Sequence, residues 1–180
     1  SEYVNIYFVQ DRLTPAQMNF LYNVADVTVL PSSNEGWGLS LTESMMAGTM
    51  IIANVTGGMQ DQMRFVDEKG EWFTPTADIP SNHRGTYKEH GEWARPVFPT
   101  NISIAGSPST PYIYDDRCQA EDIAEQIGNV YAMPKEVREQ KGKLGRKWAM
   151  SEEDQMTADR MADSIIDCMN ESFDKFVPRP

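Results

Sequence analysis

Up to about residue 60 the apolar and polar positions read strand, helix, strand, loop, helix, strand. Val4–Val9 is an apolar, β-prone run and predicts a strand. Thr14-Pro15-Ala16-Gln17 then has the form of a helix start. Thr14 can cap, Pro15 suits the first helical position, and Gln17 can reach back to complete a capping box. Met18, Leu21, Tyr22 and Ala25 recur behind it at helical spacing. Val27–Leu30 is a short apolar strand ended by Pro31. Leu39–Ala47 reads as a helix stopped by Gly48, and Met50–Ala53 as a buried strand before the turn Thr56-Gly57-Gly58. This alternation is that of βαβ units, so the pattern predicts an α/β, Rossmann-like parallel sheet with flanking helices.

From Gly70 to Asp116 the pattern breaks up. Pro75, Pro80, Pro96, Pro99, Pro108 and Pro111 fall here, with Gly85, Gly91 and Gly106 among them. We read a long insertion over about 70–116, with short strands near Arg95–Phe98 and Tyr112–Tyr114. Its aromatics, Trp93 among them, indicate that it packs against something. The helical pattern resumes over 119–176 and gives the chain a helical C-terminus. Ala120, Ile123, Ile127, Val130 and Tyr131 form one stripe, and a second helix runs from about Pro134 towards Trp148. Ser151-Glu152-Glu153-Asp154 suits the start of a third, with Met161, Ile165, Met169, Phe173 and Phe176 along one side as expected core. The 180 residues read as a single lobe, 1–180.

Composition narrows the chemistry. With 16 Lys+Arg against 27 Asp+Glu the net charge is −11, which argues against a broad nucleic-acid-binding face. It leaves room for a small anion held by backbone amides. There is no apolar run long enough to span a membrane and no visible signal segment. Cys118 and Cys168 have neither metal nor disulfide-framework spacing. Reduced thiols and a cytoplasmic location are the simplest expectation. His83 and His90 match no zinc pattern and are expected at the surface.

The densest signal is Pro31-Ser32-Ser33-Asn34-Glu35-Gly36-Trp37-Gly38-Leu39-Ser40-Leu41-Thr42-Glu43. A glycine-containing turn here follows a buried strand and opens a helix, at the strand end where such sheets bind ligands. Gly36 and Gly38 would let a ligand approach the backbone, and free N–H groups at Gly38, Leu39 and Ser40 would face an anion. Glu35 and Glu43 flank the turn. Carboxylates bind phosphate poorly but accept well from sugar hydroxyls. Ser40-Leu41-Thr42-Glu43 is equally a capping-box pattern, and the glycines could serve the turn alone. From the residues by themselves both alternatives stand.

Glu35-Gly36-Trp37-Gly38-Leu39 through Glu43, continued by Ser44-Met45-Met46-Ala47-Gly48-Thr49-Met50-Ile51-Ile52-Ala53, resembles the retaining glycosyltransferases of the GT-B fold, family 4 (glycosyl transferases group 1). Their signature is a Glu, seven residues, and a second Glu. Trp37 stands here for the usual Phe, Ser44 for Ala and Met50 for Pro. Ala25-Asp26 through Pro31-Ser32 and the Gly57-Gly58 turn are also similar to the family's pattern, so the resemblance runs from about Val4 to Gly58.

The resemblance implies the donor-binding, C-terminal lobe of such an enzyme. Its ligand would be a nucleotide diphosphate sugar of the UDP or GDP type, from which a hexosyl group passes to an unknown acceptor. Glu35 would be the catalytic residue and contact the donor sugar. Glu43 would bind the ribose hydroxyls, and the amides of Gly38 and Leu39 the diphosphate. Ser32, Gly36, Trp37 and Thr42 would complete the ligand-binding set, with no metal and no other cofactor. The family's acceptor lobe and the first strands of the donor lobe would precede Ser1. So would its diphosphate-clamping Arg and Lys, for which Arg64, Arg84 and Arg95 are the candidates present. The chain is therefore expected to be a part that is inactive alone, completed by a missing lobe, a partner chain or a second copy. A binding or assembly module without catalysis and a nucleotide-sugar epimerase fragment are the alternatives.

Overall fold

The computed structural model describes residues 6–73, 83–107, 109–151 and 156–178. The elements run α1 (Pro15–Val24), β1 (Val27–Leu30), α2 (Leu39–Ala47), β2 (Met50–Asn54), β3 (Ala94–Val97), β4 (Asn101–Ser107), β5 (Thr110–Arg117), α3 (Ala120–Tyr131), α4 (Lys135–Ala149) and α5 (Ala158–Asp174). Single 3₁₀ turns lie at Gly57–Met59, Asp61–Met63 and His83–Gly85. The fold is α/β and Rossmann-like: β1, β2 and β3 pair in that order, all parallel, with Val27 opposite Met50 and Ile51 opposite Ala94. Helices cover both faces.

Local signals account for the first half. Thr14 caps α1 and accepts from the Gln17 amide, while the Gln17 side chain accepts from the Thr14 amide, with Pro15 at the first helical position. Gly48 ends α2 at φ 86°, a left-handed conformation that favours glycine. β2 is the buried central strand, so apolar residues serve on both its faces. Ile51 and Ala53 pack with Leu41, Met45, Trp93 and Trp148 on one side. Met50 and Ile52 pack with Val97 and Val130 on the other. Pro96 lies in β3, an edge position where its missing N–H leaves no ladder bond unmade.

Helix α4 reaches the core through glycine. A Cβ on Gly142 would sit 1.9 Å from the Gly48 carbonyl oxygen, and one on Gly145 2.8 Å from the Trp93 side chain. The close approach lets Trp148 stack on Trp93 with ring centroids 5.0 Å apart.

The structure departs from the sequence expectations at several places. Residues 6–9 of the Val4–Val9 strand form no strand, and all four are exposed; residues 4 and 5 lie outside the described residues. A strand needs a neighbour, and none lies on the outer side of β1 among the described residues. The short strand expected near Arg95–Phe98 is present as Ala94–Val97, and it pairs in parallel with β2 as the third strand of the sheet. The stretch after β3 forms a second, two-stranded sheet, the antiparallel β4–β5 hairpin that includes Tyr112–Tyr114. The α3 stripe is only partly used: Val130 is buried, whereas Ile127 and Tyr131 are exposed.

The α5 stripe is not core. The described helix begins after Thr157, whose hydroxyl accepts from the Arg160 amide; residues 152–155 lie outside the described residues. Met161, Ile165, Met169, Phe173 and Phe176 are all more than half exposed. Three strands offer little surface, and α2 and α4 on one face with α3 on the other occupy it. No described helix is long and apolar enough to cross a membrane.

His83, expected at the surface, is 2% exposed inside a ring of aromatics. Phe65 lies 4.4 Å away between centroids, with Tyr87, Phe73 and Phe98 around it. Its Nδ1 accepts from the Tyr87 amide at 3.3 Å, and its Nε2 has no partner. Burial pushes its pKa below 6.5, and the positive Lys88 adds to this. Burial also lowers that of His90, despite the contact of its Nδ1 with the Gly91 carbonyl. The unfolded chain therefore takes up protons first. The stability held by the neutral rings is present above about pH 6.5 and lost as pH falls below it. Thermal unfolding measured from about pH 7 down to about pH 5 is expected to show a falling Tm. The decline should be shallower in His83→Asn, where no proton is taken up; an unchanged decline would show that His83 does not titrate with folding.

Candidate functional site

The loop between β1 and α2 lies at the carboxyl end of β1, against the turn that follows β2. The two stretches meet backbone to backbone. The Gly58 amide donates to the Glu35 carbonyl at 3.2 Å. A Cβ on Gly57 would fall 2.2 Å from the Glu35 oxygen, and one on Gly58 2.2 Å from the Gly36 oxygen. Side chains at either position would therefore lift the loop. Asn54, at the end of β2, donates to the Ser32 carbonyl at 3.1 Å and to the Asp116 carbonyl at 3.2 Å, anchoring the start of the loop.

Helix α2 begins at Leu39. Its cap residue is Gly38 at φ 84°, with no side-chain capping bond. A Cβ on Gly38 would press on Leu30 and Met59 at 3.2 Å. This geometry removes one alternative: with Gly38 as the cap, Glu43 lies beyond the third helical position and closes no capping box. Glu43 is exposed on the second turn.

A buried polar chain sets the direction of the loop amides. The Trp37 indole Nε1 donates to Thr42 Oγ1 at 2.8 Å, and Thr42 donates to Gln62 Oε1 at 2.8 Å. Gln62 Nε2 donates to the Trp37 carbonyl at 2.6 Å and to the Gly38 carbonyl at 3.3 Å. The Trp93 indole donates to the Gln62 carbonyl. A trans peptide holds its N–H opposite its C=O. Drawing the Trp37 and Gly38 carbonyls towards Gln62 therefore turns the Gly38 and Leu39 amides away from it. The result is an uncapped helix start with its positive dipole end available to an anion.

The other site candidates divide. Ser32 and Glu35 come together, Ser32 Oγ donating to Glu35 Oε1 at 2.9 Å. Gly36 and Leu39 are exposed, and Trp37 and Gly38 are partly so. Thr42 is turned inward: it is buried, and its hydroxyl is engaged by Trp37 and Gln62. Glu43 Oε2 accepts from the Tyr22 hydroxyl at 2.9 Å. Burial, with the Glu43 carboxylate beside it, pushes the Tyr22 phenol up to about 12. A cleft of about 670 Å³ opens beside Glu43, with Arg12, Tyr22, Met46 and Arg146 among its walls.

Of the arginine candidates, neither Arg64 nor Arg95 lines the cleft beside Glu43. The Arg64 guanidinium lies 5.5 Å from the ring centroids of both Trp72 and Trp148, and Arg95 reaches Met133. Nothing is described of the Arg84 side chain. The cations beside the cleft are Arg12 and Arg146, which the sequence pattern did not single out. Gln62 and Tyr22 were missed as well. The Trp37 indole calls for a buried acceptor, which is Thr42; Gln62 enters one step further, as the acceptor for Thr42. Among the described residues no three His, Cys, Asp or Glu side chains are grouped to hold a metal.

Residues 4–81 match the family model described as Glycosyl transferases group 1. Over 43 residues the chain is 46% identical to a D-inositol 3-phosphate glycosyltransferase of Thermomonospora curvata, covering 24% of this chain and 10% of that protein. Over 46 residues it is 39% identical to the protein of that name from Corynebacterium urealyticum, covering 26% and 11%. The match thus spans about a tenth of the length of these curated relatives.

Proposed function

With residues 4–81 carrying the pattern of the glycosyl transferases group 1 family, we propose that this chain supplies the donor-binding part of a glycosyltransferase. The donor is a nucleotide diphosphate sugar. The observation that carries the proposal is the uncapped start of α2, its amides turned outward by Gln62 and flanked by Glu35 and Glu43. The diphosphate lies on the Gly38 and Leu39 amides. Negative charge grows on it as the glycosidic bond breaks, and fixed donors stabilise that charge without rearrangement. Glu43 accepts from the ribose hydroxyls beside the cleft. Glu35, held by Ser32, accepts from hydroxyls of the sugar and orients the anomeric carbon towards the acceptor. Transfer of a hexosyl group with retained anomeric configuration is the reaction that fits the family pattern.

The acceptor is held by protein outside these residues, an N-terminal lobe or a partner chain. The outer edge of β1, unpaired among the described residues, and the exposed α5 stripe supply surface for it.

Ligand-observed NMR against UDP, GDP, ADP and their sugar conjugates tests the donor site. Binding of one nucleotide series is expected, weakened at least tenfold by Glu43→Ala, the loss of about 1.4 kcal/mol or more in a charge-assisted hydrogen bond. Binding that is indifferent to Glu43, or no binding to any of the series, would overturn the assignment.

A further inference from the structure

Tyr22 is the buried residue of α1, yet its hydroxyl reaches out of the helix to a carboxylate on α2. Its own position is fixed twice. The ring is packed, and the Tyr22 carbonyl accepts from the buried Thr49 hydroxyl at 2.7 Å, just past the end of α2. Glu43 is different: it is exposed and carries a long side chain with several rotatable bonds. A carboxylate of that kind loses rotamer freedom when it binds a ligand, unless something holds it beforehand.

We propose that Tyr22 is a positioning residue for the donor site, fixing the Glu43 carboxylate so that it accepts from the adjacent 2′ and 3′ hydroxyls of a ribose; the inference rests on the donor-site reading above. One phenolic bond takes one lone pair of Oε2, and Oε1 accepts no bond among the described residues. A neighbouring pair of hydroxyls can therefore be met by both oxygens. The phenol remains a donor throughout the neutral range, its pKa being pushed up to about 12. The cleft on this side of Glu43 is walled by Tyr22 itself, which places the bond next to the space a nucleoside would enter. A tyrosine that merely packed α1 on α2 would affect every ligand alike. A positioning tyrosine affects only ligands that present the hydroxyl pair.

The test measures affinity for UDP, GDP and ADP and for their 2′-deoxy counterparts, in the wild-type chain, Tyr22→Phe, Glu43→Ala and the double variant, with thermal unfolding of each. The wild type is expected to favour the ribonucleotide of the series it binds. Tyr22→Phe should weaken that ribonucleotide roughly fivefold, a fraction of the charge-assisted bond it frees. It should leave the 2′-deoxy affinity nearly unchanged and add nothing in the Glu43→Ala background. Equal weakening of both ligands, an unchanged ribonucleotide affinity, additivity with Glu43→Ala, or a wild type that binds both ligands alike would overturn the inference while leaving the donor site standing. A wild type that binds none of the nucleotides would overturn the donor-site reading and this inference with it.

Discussion

Gly142→Ala is expected to destabilise the protein by about 2–4 kcal/mol, although it replaces glycine in a helix by the best helix former. The built Cβ lies 1.9 Å from the Gly48 carbonyl oxygen and 2.7 Å from its carbon. That oxygen belongs to the backbone, so no rotamer change relieves the clash. Either α4 lifts from the end of α2, or the Gly48 turn moves. Both movements disturb a shared core, since Trp148 stacks on Trp93 one and a half turns along α4. Lifting α4 separates that pair and opens the cluster that holds Leu41 and Met45. The midpoint of thermal unfolding should fall by roughly 5–15 °C. Gly128→Ala is the matched control: Gly128 lies in α3 with nothing within 4 Å of a built Cβ. There the helix propensity acts alone, and stability should rise by about 0.5–1 kcal/mol. Both variants shifting the same way would refute the close-approach account.

The contrast between local and distant determinants runs through the whole chain. The Thr14, Pro15 and Gln17 cap, the stop at Gly48 and the apolar run Met50–Ala53 were legible because each is decided within a few residues. Val4–Val9 was not, because a β-prone run becomes a strand only beside another strand. The α5 stripe shows correctly that Met161, Ile165 and Met169 share a face; periodicity does not say whether a surface exists to receive it. His83 has no local pattern at all, since its cage is assembled from Phe65, Phe73, Tyr87 and Phe98 across more than thirty positions. In the site, the glycines and the two carboxylates were readable from their order. The partners that aim them were not, because Tyr22 and Gln62 act across 21 and 20 positions to reach Glu43 and Thr42.

Gln62→Leu should therefore damage the site more than its distance from the exposed carboxylates suggests. Leucine is of similar size, so the change removes hydrogen bonds and little volume. The Trp37 carbonyl loses its 2.6 Å donor, and the Thr42 hydroxyl loses the oxygen it donates to. Thr42 is buried, and water cannot readily replace what is lost there. The expected loss is about 2–4 kcal/mol of stability. The Gly38 carbonyl still accepts from the Leu41 amide at 3.0 Å, so α2 itself should persist. What relaxes is the Trp37–Gly38 peptide, and with it the outward direction of the Gly38 amide. Nucleotide affinity measured well below the new midpoint should fall by roughly tenfold or more, since one fixed donor to an anion is lost. Gln62→Glu separates the two contributions. Its ionised carboxylate can accept from Thr42 but repels the carbonyls, whereas the protonated form can again donate to Trp37. Burial raises the introduced carboxyl above its unfolded pKa of about 4.3, so the folded state holds the proton to higher pH. The stability contributed by the protonated form is present below that pH and lost as pH rises through the folded value. The Tm deficit of Gln62→Glu against wild type should accordingly shrink as pH falls towards about 4.5, while that of Gln62→Leu stays constant. If both deficits are independent of pH, donation to the Trp37 carbonyl is not what holds the loop.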